Sequence, residues 1–125
     1  MRNLIIYCLI MLVFSVNSYS QNRDRELSNI IASANKAFDN HNYYGAAKLY
    51  ERALEYNDRM YDVVWKTAES YRLDNDYVNA AKYYKVIVDS DLQNHPKASY
   101  YLGQMLKADE EYIKAQYFFN RYYED

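Results

Sequence analysis

The side chains best equipped for chemistry in this 125-residue chain are few and scattered. His41 and His95 are its two histidines. Neither stands at ligand spacing from a second strong ligand, so neither metal coordination nor general-base work is expected of them. No run of like charge exceeds Asp109-Glu110-Glu111. Paired carboxylates or a cation site would need other groups converging there, and acids beside a helix N-terminus more simply serve the macrodipole and solubility. The two glycines, Gly45 and Gly103, are too far apart to cradle a phosphate. The expectation is a protein without a catalytic centre, cofactor or metal.

The elements that position these residues are expected to be helices. Half the residues are hydrophobic, 17 are tyrosine, and only two Gly and one Pro interrupt the chain, a balance that favours long helices. The formal charge of −2 is small and interleaved, which argues against a nucleic-acid surface.

The first twenty residues stand apart. Arg2 supplies a positive start, Leu4 to Val16 is almost wholly apolar, and Ser18-Tyr19-Ser20 places small residues before Gln21. This is the layout of a secretory signal peptide over residues 1–20, cleaved after Ser20. A membrane anchor is the competing reading, but a run of thirteen residues falls short of the ~20 that span a bilayer. Export to the periplasm or cell envelope is expected, with no stable membrane span after cleavage. Cys8, the one cysteine, would leave with the peptide, so no disulfide or thiolate site is expected in residues 21–125.

Within those residues three segments align without gaps: Asn42–Tyr56 (NYYGAAKLYERALEY), Asp76–Ser90 (DYVNAAKYYKVIVDS) and Glu111–Asp125 (EYIKAQYFFNRYYED). Their second position is Tyr43, Tyr77 or Tyr112, the fifth Ala46, Ala80 or Ala115, and the ninth Tyr50, Tyr84 or Phe119, at offsets of 34 and 35 residues. Twelve residues before each alanine stands another small residue, Ala34, Ala68 or Gly103. Small residues on two antiparallel helices let them approach closely, and an aromatic four residues later fills the adjoining space. The spacing predicts helices over about Arg23–Phe38, Tyr43–Tyr56, Arg59–Leu73, Tyr77–Asp89, Pro96–Ala108 and Tyr112–Tyr123. Asn42 and Asp76 are expected to cap the helices they precede, and Pro96 to occupy a first helical turn. Lys48 and Lys82, two residues beyond the alanines, fall on the opposite, solvated face.

These three segments resemble the tetratricopeptide repeat family over about residues 27–125. The resemblance implies an all-α fold, a right-handed superhelix of about three antiparallel helix pairs, with repeats at about 27–60, 61–95 and 96–125. Here Val64 stands where the family places a large residue, with Trp65 beside it, and the usual proline after the second helix is missing. The family's concave groove would be lined by Ile31, Asn35 and Phe38, by Trp65, Glu69 and Arg72, and by Tyr100, Gln104 and Lys107. An apolar centre with polar flanks suits a peptide or protein partner. Of the basic and Asn positions that clamp a peptide carboxylate in some members, only Asn35 and Lys97 match. The signal layout and the Tyr/Asn/Lys-rich repeats also resemble the N-terminal segment of exported Bacteroidota envelope proteins of the OmpA-like, gliding and type 9 secretion kind. Two roles follow as expectations: an adaptor that binds a partner, or a structural module of an envelope assembly.

The last repeat differs from the others. Tyr117 replaces the Lys48 and Lys82 position, Tyr122 the Ala53 and Ile87 position, and Tyr123 the Leu54 and Val88 position. Such an aromatic end face is expected to be an interaction surface, covered by a further domain or by self-association. The plainer alternative folds the tyrosines back over their own repeat with their hydroxyls in water.

Overall fold

The computed structural model describes residues 2–124; of α1's side chains, those of 2–5, 8–10 and 12–18 are outside the described set. Among the described residues there are six helices and no strand: α1 (Arg2–Asp39), α2 (Tyr43–Leu54), α3 (Tyr61–Leu73), α4 (Tyr77–Ser90), α5 (Ala98–Ala108) and α6 (Tyr112–Glu124). The fold is all-α, and each helix packs chiefly on its neighbours in sequence. None of the described helices is long and apolar enough to cross a membrane. The apolar layout on which export was inferred, including Arg2, Cys8 and most of Leu4–Val16, lies outside the described side chains.

One turn is used three times. At His41, Asn75 and Glu110 the backbone φ is 61°, 64° and 62°. The N–H of the next residue reaches back to a carbonyl five residues earlier: Asn42 to Ala37 at 2.9 Å, Asp76 to Tyr71 at 2.9 Å and Glu111 to Leu106 at 2.8 Å. The left-handed residue's own N–H bonds to the carbonyl of Phe38, Arg72 or Lys107. This left-handed stop satisfies the last carbonyls of α1, α3 and α5. The chain then turns within three residues into the next helix, which packs on the one before it. As expected, Asn42 caps α2 by accepting from the Gly45 N–H, and Asp76 caps α4 by accepting from the Asn79 N–H, both at 3.1 Å.

The alanines mark where helices meet. Ala34, Ala46, Ala68, Ala80 and Ala115 are buried; Tyr50 is buried in one cluster with Ala34 and Ala46, and Tyr84 in another with Ala68 and Ala80. The core forms two clusters. One joins α1, α2 and the start of α3 around Ile30, Ala34, Ala46, Tyr50, Ala53 and Val63. The other joins α2 to α5 around Ala47, Val64, Ala68, Tyr84, Val88 and Leu102.

Three expectations are corrected. The first helix begins at Arg2, not Arg23, and runs through Ser20–Gln21; no Gly or Pro precedes Gly45, so nothing in the chain stops it. Pro96 lies in the turn before α5, whose first residue is Ala98. Asp91 draws that loop tight: its carbonyl accepts from the N–H groups of Asn94 and His95, and its carboxylate holds both side chains. α3 begins at Tyr61, not Arg59, because the Asn57 side chain holds the Arg59 N–H in a local turn at 2.9 Å.

Candidate functional site

The residues expected to line a groove are tied into the framework by tyrosine hydroxyls. Asn35 on α1 and Glu69 on α3 occupy equivalent positions, and each meets the tyrosine fifteen residues later. Tyr50 donates to Asn35 Oδ1 at 2.7 Å, and Tyr84 donates to the Glu69 carboxylate. Gln104 on α5 is the third equivalent, but Phe119 lacks a hydroxyl, and Gln104 donates instead to Tyr100 Oη at 2.9 Å. Burial pushes the Tyr50 phenol up to about 12, with the Asp39 charge adding to it. Burial, then the Glu69 carboxylate, raises Tyr84 further.

Charged groups extend this row from helix to helix. Asn35 Oδ1 also accepts from Lys66 Nζ at 2.8 Å, linking α1 to α3. Arg72 pairs with Glu69 at 2.7 Å, and its guanidinium lies 5.0 Å from the centre of the Tyr101 ring on α5. Hydrogen bonding to Glu69 is the main cause that raises the Arg72 pKa, against its partial desolvation. Trp65 makes edge contacts with Tyr84 and Tyr101, and its ring stacks on His95 at 5.0 Å. The structure therefore joins Asn35, Trp65, Glu69 and Arg72 into one partly exposed strip. Ile31 and Phe38 pack instead on the core between α1 and α2.

The remaining expected residues gather at the far end. Tyr100, Gln104 and Lys107 line a groove of about 640 Å³ with Ala108, Phe119 and Tyr123. Tyr122 leans on Tyr100 with ring centres 5.4 Å apart, while Tyr117 and Tyr123 are 60% and 74% exposed. Only Tyr122 is folded back over its own repeat; the other two present their rings to solvent.

The groups first considered for chemistry hold the structure together. His95 bridges two carboxylates, Asp91 Oδ2 at 3.0 Å and Asp62 Oδ1 at 3.3 Å, while stacking on Trp65. His41 and Glu110 occupy left-handed turn positions, and Glu111 pairs with Lys114. Among the described residues no group of three His, Cys, Asp or Glu side chains is placed to hold a metal ion.

Sequence reasoning missed one cluster. Lys48, expected on a solvated face, donates to Tyr71 Oη and to Glu51, both at 2.9 Å. Tyr83 donates to the same Glu51 at 2.8 Å and stacks on Tyr71. Burial works against the Glu51 carboxylate, but hydrogen bonds from Lys48, Tyr83 and Tyr71 outweigh it and hold its pKa low. Burial raises both Tyr71 and Tyr83. This network spans α2, α3 and α4, where the helix containing Tyr71 overlaps the face carrying Lys48. No protein-family model matches the chain, and no curated protein matches it.

Proposed function

We propose that the chain is an exported tetratricopeptide-like scaffold, a superhelix of about three helix pairs that binds a protein or peptide partner in the periplasm or cell envelope. The observation that carries this reading is the recurrence, at the sequence period, of one left-handed turn and one buried alanine, joined in the first two repeats by a buried tyrosine of the same cluster. Each helix pair is too thin to bury its own apolar face and is completed by the next pair. Such a scaffold presents a continuous row of first-helix side chains, here the strip through Asn35, Lys66, Trp65, Glu69 and Arg72 and onward to Tyr100, Gln104 and Lys107. Aromatic and Arg side chains of this kind anchor interfaces, and the function is recognition without catalysis.

The exposed aromatics at the α6 end favour a second reading as well. In it the chain is a structural module of a larger envelope assembly, in keeping with its resemblance to Bacteroidota gliding, type 9 secretion and OmpA-like proteins.

The test is affinity capture by the tagged chain from its native envelope fraction, with intact-mass measurement of the chain itself. Export predicts a mature N-terminus at Gln21. Groove binding predicts a captured protein that Lys107→Glu combined with Gln104→Ala releases, since both positions are accessible and carry little of the core. Trp65 is unsuitable for this purpose because it packs on three neighbouring rings. A partner retained equally by the variant moves recognition off the groove, and retention of residues 1–20 on most molecules refutes export.

A further inference from the structure

The first two repeats seal a corner that the third leaves open. In the first it is filled by Ile30, Ala53 and Leu54, and in the second by Val64, Ile87 and Val88; all are buried except Leu54, which is partly so. The residues in the same register of the third are Ser99, Tyr122 and Tyr123. Ser99 is 1% exposed, and its hydroxyl has no hydrogen-bond partner. A groove of about 650 Å³ opens there, lined by Leu92, Gln93, Pro96, Ser99, Tyr122 and Tyr123. A buried hydroxyl without a partner carries a desolvation cost that Ile30 and Val64 avoid.

The chain itself shows what closes such a corner. Val88 at the end of α4 is buried in one cluster with Ala98, Leu102 and Met105 of α5, residues at i, i+4 and i+7 that form one helix face. In α3 the equivalent row is Val63, Thr67 and Ser70, also buried. The element that covers each second helix is therefore the next amphipathic helix, through a row of small and apolar side chains. A helix so placed on α6 would start beside the α6 C-terminus, as α5 starts beyond α4, bringing its first turn to Ser99. The first N–H groups of any helix lack intrahelical acceptors.

We propose that this corner is a docking site for an amphipathic helix of a partner, presenting small or apolar residues at i, i+4 and i+7. Tyr122 and Tyr123 clasp the row, and Ser99 Oγ accepts from a first-turn N–H. The proposal rests on the repeat reading above and adds a partner site distinct from the groove.

The experiment uses the full-length chain and a fluorescent, end-blocked peptide of residues 96–108, which carries the Ala98, Leu102 and Met105 row. Saturable binding is expected, weakened about tenfold or more by Tyr123→Lys and lost with a peptide carrying Lys at the Leu102 and Met105 positions. Ser99→Val should raise the melting temperature while weakening the peptide about fivefold; a purely structural serine would show only the first effect. Absent binding at millimolar peptide, affinity indifferent to Tyr123→Lys or to Ser99→Val, or self-association of the chain that Tyr123→Lys abolishes, each overturns the proposal, the last by assigning the face to a second copy. The repeat register is checked separately by melting Ala80→Leu against Lys82→Leu. If only Ala80→Leu destabilises the chain and the peptide fails, the docking proposal falls alone.

Discussion

Tyr84→Phe removes one oxygen and no apolar surface, so it isolates the bond between the two helices of the second repeat. The hydroxyl donates to Glu69 and accepts from Arg72 Nε at 3.2 Å. A hydrogen bond to a charged group contributes ~1.5–3 kcal/mol. Glu69 keeps both oxygens on Arg72, at 3.1 and 2.7 Å, and its side chain is 18% exposed, so the cost should lie at the lower end, about 1.5 kcal/mol. In a domain of this size that lowers the melting temperature by roughly 5–7 °C. Tyr50→Phe should cost less, about 1 kcal/mol, because its acceptor is neutral and retains Lys66. Phe119→Tyr should stabilise by at most ~1 kcal/mol by offering Gln104 the missing hydroxyl. Thermal and urea unfolding followed by circular dichroism measure all three. A Tyr84→Phe loss below ~0.5 kcal/mol, within the noise of surface substitutions, or one smaller than that of Tyr50→Phe, would refute the hydroxyl tie as a determinant of helix pairing.

Ala80→Leu should overpack the α3–α4 contact and lower stability by ~1–3 kcal/mol, while Lys82→Leu stays within ~0.5 kcal/mol; urea midpoints decide. Glu110→Gly should raise stability by roughly 0.5–1 kcal/mol, since glycine relieves the left-handed strain at the expense of chain entropy. Asn75→Gly should gain less, because Asn tolerates that conformation; thermal melts of the two variants test the ranking. Burial raises the phenol pKa of Tyr50, Tyr71, Tyr83 and Tyr84 above the ordinary value of 10.0. Folded-state pKa values above the unfolded one give stability that is complete below pH 10 and lost as pH rises through the folded values. Alkaline titration should therefore show these phenolates appearing together with loss of helical dichroism above pH 10, and phenolate formation by every tyrosine before any loss of helicity would contradict the burial.

What was legible in the sequence was whatever repeats in residue type. Ala34, Ala46, Ala68 and Ala80 mark close approach because only a small side chain fits there, and the period carried the helix order with them. The left-handed turn was hidden because His41, Asn75 and Glu110 share no chemistry; only the backbone repeats. The tie from Tyr50 to Asn35 and from Tyr84 to Glu69 had a signal, a polar residue fifteen positions before each tyrosine, with Phe119 as the exception that marks it. The Lys48–Tyr71 bond crosses 23 residues between helices whose relative rotation periodicity does not fix. Trp65 read as a groove residue because first-helix register places it there. Its stacking on His95 depends on the α4–α5 loop, whose path Asp91 sets.

Packing that runs from each helix to the next has a consequence for how the molecule opens. Among the described residues Ala115 is the one fully buried side chain of α6, whereas α4 buries Ala80, Tyr84, Ile87 and Val88. Local opening should therefore have a direction: α6, which buries least, separates before α3 and α4, which bury most. Native-state amide exchange would see this as a gradient of protection rising from Tyr112–Glu124 toward the middle of the chain, with α6 a separate, weakly held unit. Anything that seats on the α6 face would then act as a clamp on unfolding, and its presence would be readable as slowed exchange in a helix it need not touch along its whole length.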